Sequence, residues 1–396
     1  MTDIDKERYS GTEILRYHWV DDAVSLDYDL DDKNVIALTG SNVFVMSLEN
    51  RTKVAEALFR YFRKHGFPHI AISKKKLLLD WAKLKDTKNT LLKARVDDSG
   101  TIYYPNKNLA GGSLIRDFQS KQFYSTAGNG NKDISMLDAF SDDVTLRKVL
   151  YNRMQITFNE KFNIHGAMLR QGFRSTRSCS TTSIFNCLIA RHIYDNFCPA
   201  NGVVYDISSG FGHRMLGALA SEKKPYYIGT DPWKAVQATN LQMAKFVDGI
   251  DRVQLLTVGS ESQKVCTIID SAYIGNVDLV FSSPPYWNVE VYDNGGDGQM
   301  WTPQADFQKQ FIEYWWDGTL KNIKKLLKKD TGIVCINMTS PMVDILVKHA
   351  TDNHGFVEYN RHYLELSVSH MSNKKSSGRI KKGEPFVFLK PSQKTG

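Results

Sequence analysis

Four consecutive residues, Ser283-Pro284-Pro285-Tyr286, carry the most specific chemistry in this 396-residue sequence. They follow the apolar run Asp278-Leu-Val-Phe281, which reads as a strand. Two prolines cannot continue a hydrogen-bonded ladder, so they fix a rigid turn at the strand's C-terminal end. That end is where open α/β sheets bind ligands. The turn offers a short hydroxyl, a carbonyl without further backbone partners and an aromatic ring. An exocyclic amine on a flat base needs such groups, acceptors for its hydrogens and a face to stack on. A proline-stiffened loop with Tyr286 and Trp287 in the core is the competing account of the tetrapeptide alone.

A second constellation lies upstream, where Asp206-Ile-Ser-Ser-Gly210-Phe211-Gly212 joins an apolar run to a helical stretch. Glycines adopt positive φ and let a ligand approach the backbone, and a helix start presents free N–H groups. Met215 stands where a dinucleotide fingerprint would place its third glycine, which weighs against a nicotinamide cofactor. The next run ends in Asp231, placed to accept hydrogen bonds from a ribose diol, and Trp233 could cover an adenine face. A packing turn with an acidic helix cap is the other reading of these features.

The elements that must position these turns follow from the hydrophobic pattern. Apolar runs at 203–207, 226–230, 253–258, 277–281 and 332–336 alternate with helical stretches. Near-continuous apolar strands separated by helices are the pattern of a parallel sheet covered on both faces. The segments 358–369 and 385–390 predict a closing β pair. The fold class is therefore α/β, a doubly wound and mostly parallel Rossmann-like sheet over residues 151–396, with an additional N-terminal α+β domain over 1–150. In that first part 35–38 and 43–46 read as short strands, 52–65 as a helix, and Ser73 as the cap of another helix running to Lys85. Residues 98–143, richer in Gly, Ser, Asn and Asp, read as loops or an inter-domain region.

With both constellations in place, the sequence resembles the amino-group DNA methyltransferases, which methylate cytosine N4 or adenine N6 with S-adenosylmethionine. The resemblance covers roughly residues 165–392. Ser283-Pro284-Pro285-Tyr286 matches the family's catalytic tetrapeptide, and Asp206, Gly210 and Gly212 match its cofactor turn; Ser208 stands where the family has Phe, with Phe211 close by. The resemblance implies cofactor contacts at Asp206, Ser208, Gly210, Phe211, Gly212, Asp231 and Trp233, and at Ser260 and Glu261 in the third loop. Thr181, in a Ser/Thr-rich segment ahead of a helix at 184–197, matches the part that holds the cofactor's methionine end. It implies a Rossmann-like methyltransferase sheet, in-line methyl transfer to a base flipped out of duplex DNA, and a restriction-modification setting. The Ser form of the tetrapeptide leans toward cytosine N4. A methyltransferase acting on RNA or another nucleobase amine is the alternative, and an inactive nucleic-acid-binding module of this fold is the third possibility.

Composition is consistent with such a partner. The charge is 51 − 43 = +8, with 42% hydrophobic and 24% charged residues. Lys374, Lys375, Arg379, Lys381 and Lys382 crowd one loop between the last two strands, which emerges beside the tetrapeptide if 358–369 runs parallel to the sheet. They are the candidate phosphate contacts. The lysines at 321–329 fall on the opposite edge and read as a solvated helix face. Sequence recognition is assigned to residues 1–150, whose helices carry Arg60, Arg63, Lys64 and Lys74-Lys-Lys76; a structural or oligomerising role for them stays open. Five scattered Cys with no C-x-x-C pair argue against a disulfide framework or a cysteine-rich zinc site. No metal is expected. The first ten residues have no apolar core for a signal peptide and no run suits a membrane span, so the expectation is a cytoplasmic protein.

Overall fold

The computed structural model describes residues 16–20, 23–27, 36–38, 40–86, 94–106, 109–128, 134–156, 166–182, 185–287, 290–292, 296, 306–366 and 381–392. The chain forms two compact units: Met1–Lys74 with Ser120–Ser183 and Val289–Asn294, and Lys75–Gln119 with Ile184–Asn288 and Gly295–Gly396. The units therefore do not follow a single cut near residue 150.

In the first unit, β1 (Arg16–Val20) pairs antiparallel with β2 (Ala23–Asp27) and with β3 (Ile36–Ala37). The helix Leu48–His65 buries Val54, Leu58, Phe59 and Phe62 on one face. Its start is capped by the Ser47 side chain, which accepts from the Asn50 N–H at 3.1 Å. Arg147 lies 3.5 Å above the Phe59 ring and pairs with Glu56 at 3.2 Å, joining this helix to Asp143–Gln155. Residues 43–46 are not a strand. Val43 is buried while Phe44 and Val45 are exposed, and Gly40–Phe44 is a short helix.

Part of the expected loop at 98–143 forms helices, Gly112–Phe118, Ser120–Ser125 and Met136–Ser141, while residues 107–108 and 129–133 lie outside the described residues. Some of its polar residues are helix caps. Ser135 and Asp138 form a reciprocal capping box, and Asp142 accepts from the Thr145 N–H at 2.8 Å.

Among the described residues, the second unit is built on nine strands: β4 (Arg95–Val96), β5 (Ile102–Pro105), β6 (Val203–Asp206), β7 (Tyr226–Thr230), β8 (Val253–Leu256), β9 (Leu279–Ser282), β10 (Ile333–Asn337), β11 (Phe356–Leu366) and β12 (Lys381–Pro391). Their order is β4-β5-β11-β12-β10-β9-β6-β7-β8. Strands β6 to β10 pair in parallel, as the apolar runs predict. The outward order β6-β7-β8 on one side and β9-β10 on the other places a topological switch point between β6 and β9. Helices cover the sheet; Trp315, Trp316, Leu320 and Ile323 pack with Val280, Val334 and Ile336 in one continuous core.

β12 runs antiparallel to both β10 and β11, so β11 is parallel to the central strands. Its C-terminal end therefore reaches the same edge as the ends of β6 and β9. β5 adds to the outside of β11 in parallel, with Tyr363 opposite Tyr103. That pairing is why residues 75–119 belong to this unit. Lys321, on the helix Asp317–Leu326, is exposed and pairs with Asp317 at 2.7 Å. No helix among the described residues is long and apolar enough to cross a membrane.

Candidate active site

β6 ends in Asp206, a fully buried carboxylate. Arg214 donates to it from Nε at 2.8 Å and from Nη2 at 3.2 Å, the Tyr227 hydroxyl at 2.8 Å, and the Ser208 N–H at 3.2 Å. The Ser282 hydroxyl, on β9 directly before the tetrapeptide, donates to the same carboxylate at 2.8 Å. Asp206 thus ties the two turns together from below, its oxygens fully engaged by the protein. Arg214 also reaches the Ser208 carbonyl, and Ser208 itself is half-buried.

The glycine turn has left-handed backbone at Gly210 (φ 49°) and Gly212 (φ 86°). A Cβ on Gly212 would lie 2.4 Å from Asn240 Oδ1 and 2.7 Å from Met243 Cε, so glycine is required there on two grounds. Asn240 donates to the Gly210 carbonyl at 2.8 Å, and Gly210 N–H donates to Asp231 at 2.9 Å. Asp231 also accepts from Trp233 N–H at 3.0 Å. Burial pushes the Asp231 carboxyl up to about 6, against the pull of those two N–H groups. Phe211 and Trp233 are both buried and meet edge to face with centroids 6.2 Å apart.

Ser260 is buried and bonds Thr319 hydroxyl to hydroxyl at 2.8 Å. Asn322 donates to the carbonyls of Ser260 and Ser262, which fixes this loop against the helix below it. Burial raises the Glu261 pKa, and its Oε2 has no hydrogen-bond partner. Thr181 belongs to the first unit, unlike the other cofactor candidates. A Cβ on Gly128 would overlap the Thr181 carbonyl, so the segment is held by close backbone packing. Next to it, Thr182 and Tyr292 both donate to the buried Glu290.

The tetrapeptide leaves β9, whose neighbour in the sheet is β6. Among the described residues, neither the Ser283 hydroxyl nor the Pro284 carbonyl has a hydrogen-bond partner. Pro284 is buried, Pro285 and Tyr286 are half-buried, and Tyr286 donates to Glu384 on β12 at 2.8 Å. Trp287 packs edge-on against Phe307 and Phe311, at 5.3 and 5.6 Å, and so serves the core.

Of the basic candidates, Lys374, Lys375 and Arg379 lie outside the described residues, as does the side chain of Lys381, which opens β12. Lys382 is exposed, with its ammonium 4.8 Å from the centroid of the Tyr363 ring. Sequence reasoning passed over Arg214, Tyr227, Ser282 and Glu384. Arg214 had a signal, being two residues beyond Gly212 in the helix's first turn; Glu384 had none, since its contact spans 98 residues. Among the described residues, Asp317, His349 and His354 are grouped closely enough to hold a metal ion. There Asp317 accepts from His354 at 2.8 Å and from Lys321 at 2.7 Å, so the group is satisfied by its own contacts.

No protein-family model matches this chain, and no curated protein matches it. Solved structures match over about half of it. TrmN from Thermus thermophilus aligns at 14% identity and a TM-score of 0.35, over 52% of this chain and 49% of that one. A putative rRNA methylase from Clostridium thermocellum aligns at 14% and 0.34, over 53% and 98%. A putative S-adenosyl-L-methionine-dependent methyltransferase from Methanococcus maripaludis aligns at 13% and 0.33, over 52% and 85%. The matched part spans about half the length of the Thermus protein.

Proposed function

We propose that this protein is an S-adenosylmethionine-dependent methyltransferase acting on an exocyclic amine of a DNA base, with cytosine N4 ahead of adenine N6. The observation that carries this reading is the tip of the tetrapeptide. Among the described residues, the Ser283 hydroxyl and the Pro284 carbonyl have no protein partner, and they stand beside a tyrosine ring held by Glu384. Acceptors left open at a rigid turn suit a substrate that brings N–H donors.

The glycine turn fits the cofactor by its residues. Asp231 can accept from a ribose diol, Phe211 and Trp233 offer an aromatic wall, and glycine backbone permits close approach. When bound, the cofactor supplies an electrophilic methyl group on a sulfonium.

The chain's own residues then act on the amine. Its lone pair is delocalised into the base ring and is poorly nucleophilic. Hydrogen bonds from the amine to Ser283 Oγ and the Pro284 carbonyl favour a tetrahedral nitrogen and orient its lone pair, so positioning provides much of the rate. The methylated nitrogen becomes cationic and releases its proton to water, which removes the need for a strong base. Tyr286 stacks on the base, and in duplex DNA this requires the base to be flipped out. The basic segment 374–382 contacts phosphates, and the first unit serves target recognition.

The test is incubation of the full chain with labelled S-adenosylmethionine and unmodified duplex DNA or RNA, followed by nucleoside mass spectrometry. N4-methylcytosine in DNA supports the reading in full. Label confined to RNA overturns the choice of DNA, and no label in either overturns the activity.

A further inference from the structure

The helix Lys74–Lys85 reads Lys-Lys-Lys-Leu-Leu-Leu-Asp-Trp-Ala-Lys-Leu-Lys, and from Lys75 on it belongs to the unit that carries the tetrapeptide. Leu77, Trp81 and Leu84, at i, i+4 and i+7, form its buried stripe. Two polar contacts fasten it further. Asp80 accepts from the Ser113 N–H at 2.8 Å, and Arg191 donates to the Leu84 carbonyl at 2.7 Å. Ser113 lies at the start of the helix Gly112–Phe118. Gln119, at the other end of that helix, donates to Asn240 Oδ1 at 2.8 Å, and Asn240 holds the Gly210 carbonyl. Lys74–Lys85 is thus joined to the glycine turn through one helix about 10 Å long.

The opposite face contributes nothing to the packing. Lys75, Lys76, Leu78, Leu79 and Lys83 are exposed, the two leucines by 44% and 54%. Lys75, Lys76 and Lys83 have no acid or carbonyl partner among the described residues. By contrast, Lys53, Lys321 and Lys348 each meet an acid one turn away, at 3.2, 2.7 and 2.6 Å. Within Lys74–Lys85 the single acid is Asp80, and it is committed to Ser113. Cations without acids, on an element held rigidly from behind, suit an anion from outside.

That anion is an extended one, since Lys75 and Lys83 stand eight residues and about 12 Å apart along the helix axis. This is about the width of the DNA major groove, which admits an α-helix, whereas the same groove of duplex RNA is too narrow. A helix lying on a lipid surface presents an apolar stripe flanked by cations. Here cations hold both ends of the outward stripe Lys75, Leu79 and Lys83. We propose that this face lies across the major groove of the duplex, with Lys75 and Lys76 on the phosphates of one rim and Lys83 on those of the other. The inference rests on the DNA reading of the tetrapeptide. It gives the catalytic unit a backbone anchor of its own, beside the recognition assigned to the first unit.

The test is fluorescence anisotropy of the full chain on labelled duplex DNA across a salt series. Each lost phosphate contact lowers the slope of log affinity against log salt by about 0.9. Lys75→Gln/Lys76→Gln/Lys83→Gln should therefore lose about 2.7 from the slope, and its deficit against wild type should shrink about 40-fold between about 50 and 200 mM salt. The control Lys324→Gln/Lys325→Gln/Lys329→Gln removes the same charge from other exposed lysines and should leave the slope unchanged. Both triples should melt with the wild type. Equal losses in the two would reduce the effect to net charge and overturn the proposal, as would an unchanged slope in the first. A matching loss on duplex RNA would overturn the groove fit. A loss confined to phosphatidylserine vesicles would assign the face to a membrane and overturn it too. The two readings fail separately: a wild type that binds no DNA refutes the DNA reading, whereas DNA methylation with an unchanged slope in the first triple refutes only this inference.

Discussion

Replacement of Arg214 by Met removes the positive partner of a carboxylate that has no access to water. The side chains of Arg214 and Asp206 are 6% and 1% exposed and meet at 2.8 Å. Two outcomes can be separated by size. If the neutral donors that remain, Tyr227, Ser282 and the Ser208 N–H, solvate the carboxylate adequately, the loss is that of a hydrogen bond to a charged group, about 1.5–3 kcal/mol. If the charge needs its counter-ion, the loss is about 3–5 kcal/mol, as for other broken buried pairs. With one anion beneath two turns and desolvated on all sides, the larger value is expected. Out of a total stability of about 5–15 kcal/mol, it lowers the melting midpoint by roughly 6–20 °C in a unit of this size. The assay is urea and thermal unfolding of wild type, Arg214→Met, Asp206→Asn and the double variant. The double variant carries no buried charge and should recover a large part of the loss, giving a coupling above about 1 kcal/mol in the cycle. A single variant within about 1 kcal/mol of wild type, or additive losses, would refute the view that this pair holds the two turns together.

The other expectations concern the site directly. Ser283→Ala and Tyr286→Ala should abolish methyl transfer in the nucleoside assay while S-adenosylhomocysteine still binds; an undiminished rate would remove their assigned roles. Gly212→Ala forces a side chain into left-handed backbone and against Asn240, so cofactor-analogue affinity should fall by at least tenfold, together with a loss of about 1–3 kcal/mol in unfolding. Asp231 has its pKa raised from 3.8 to about 6, so the folded state holds a proton there that the unfolded chain has lost. Its contribution to stability is therefore greatest below about pH 4 and declines as pH rises to about 6, whereas its ability to accept from a ribose diol grows over the same range. Analogue affinity should thus fall as pH drops through 6, and Asp231→Asn should flatten that profile; an equally steep profile in the variant would exclude Asp231 as its source. Glu384→Ala removes the Glu384 acceptor of the Tyr286 hydroxyl and should lower the turnover number by about tenfold with little change in analogue binding, as measured by single-turnover transfer and calorimetry.

The central sheet was legible because β6, β7, β9 and β10 are largely buried and so read as continuous apolar runs. The tetrapeptide was legible because two adjacent prolines allow so few backbone solutions. What escaped shares a different property, a dependence on contacts distant in sequence. β5 has four residues; its Ile-Tyr-Tyr run favours a strand, but its place in this sheet is set by Tyr103 and Tyr104 meeting Tyr363 and Leu364 on β11. Glu384 matters only where Tyr286 arrives beside it. The polar stretch around Ser135 and Asp142 misled for a local reason, since the same residue types begin helices as often as they make loops. Residues 43–46 are a four-residue apolar run, too short for periodicity to separate strand from helix.

The two turns divide their work by burial. An oxygen that must accept hydrogen bonds from a substrate has to be left without partners by the protein, and among the described residues Ser283 and Pro284 have none. Such atoms cannot also anchor the loop that bears them. The anchoring is displaced by one residue, to Ser282, whose hydroxyl is taken by the buried Asp206, and by two to Tyr286, taken by Glu384. A buried ion pair is weak evidence for stability, yet breaking it is costly, which makes it suited to fixing one geometry over others. At the β6–β9 switch point the Asp206–Arg214 pair supplies that rigidity from within the core, so the acceptors at the tip can remain unsatisfied without the turn collapsing onto them.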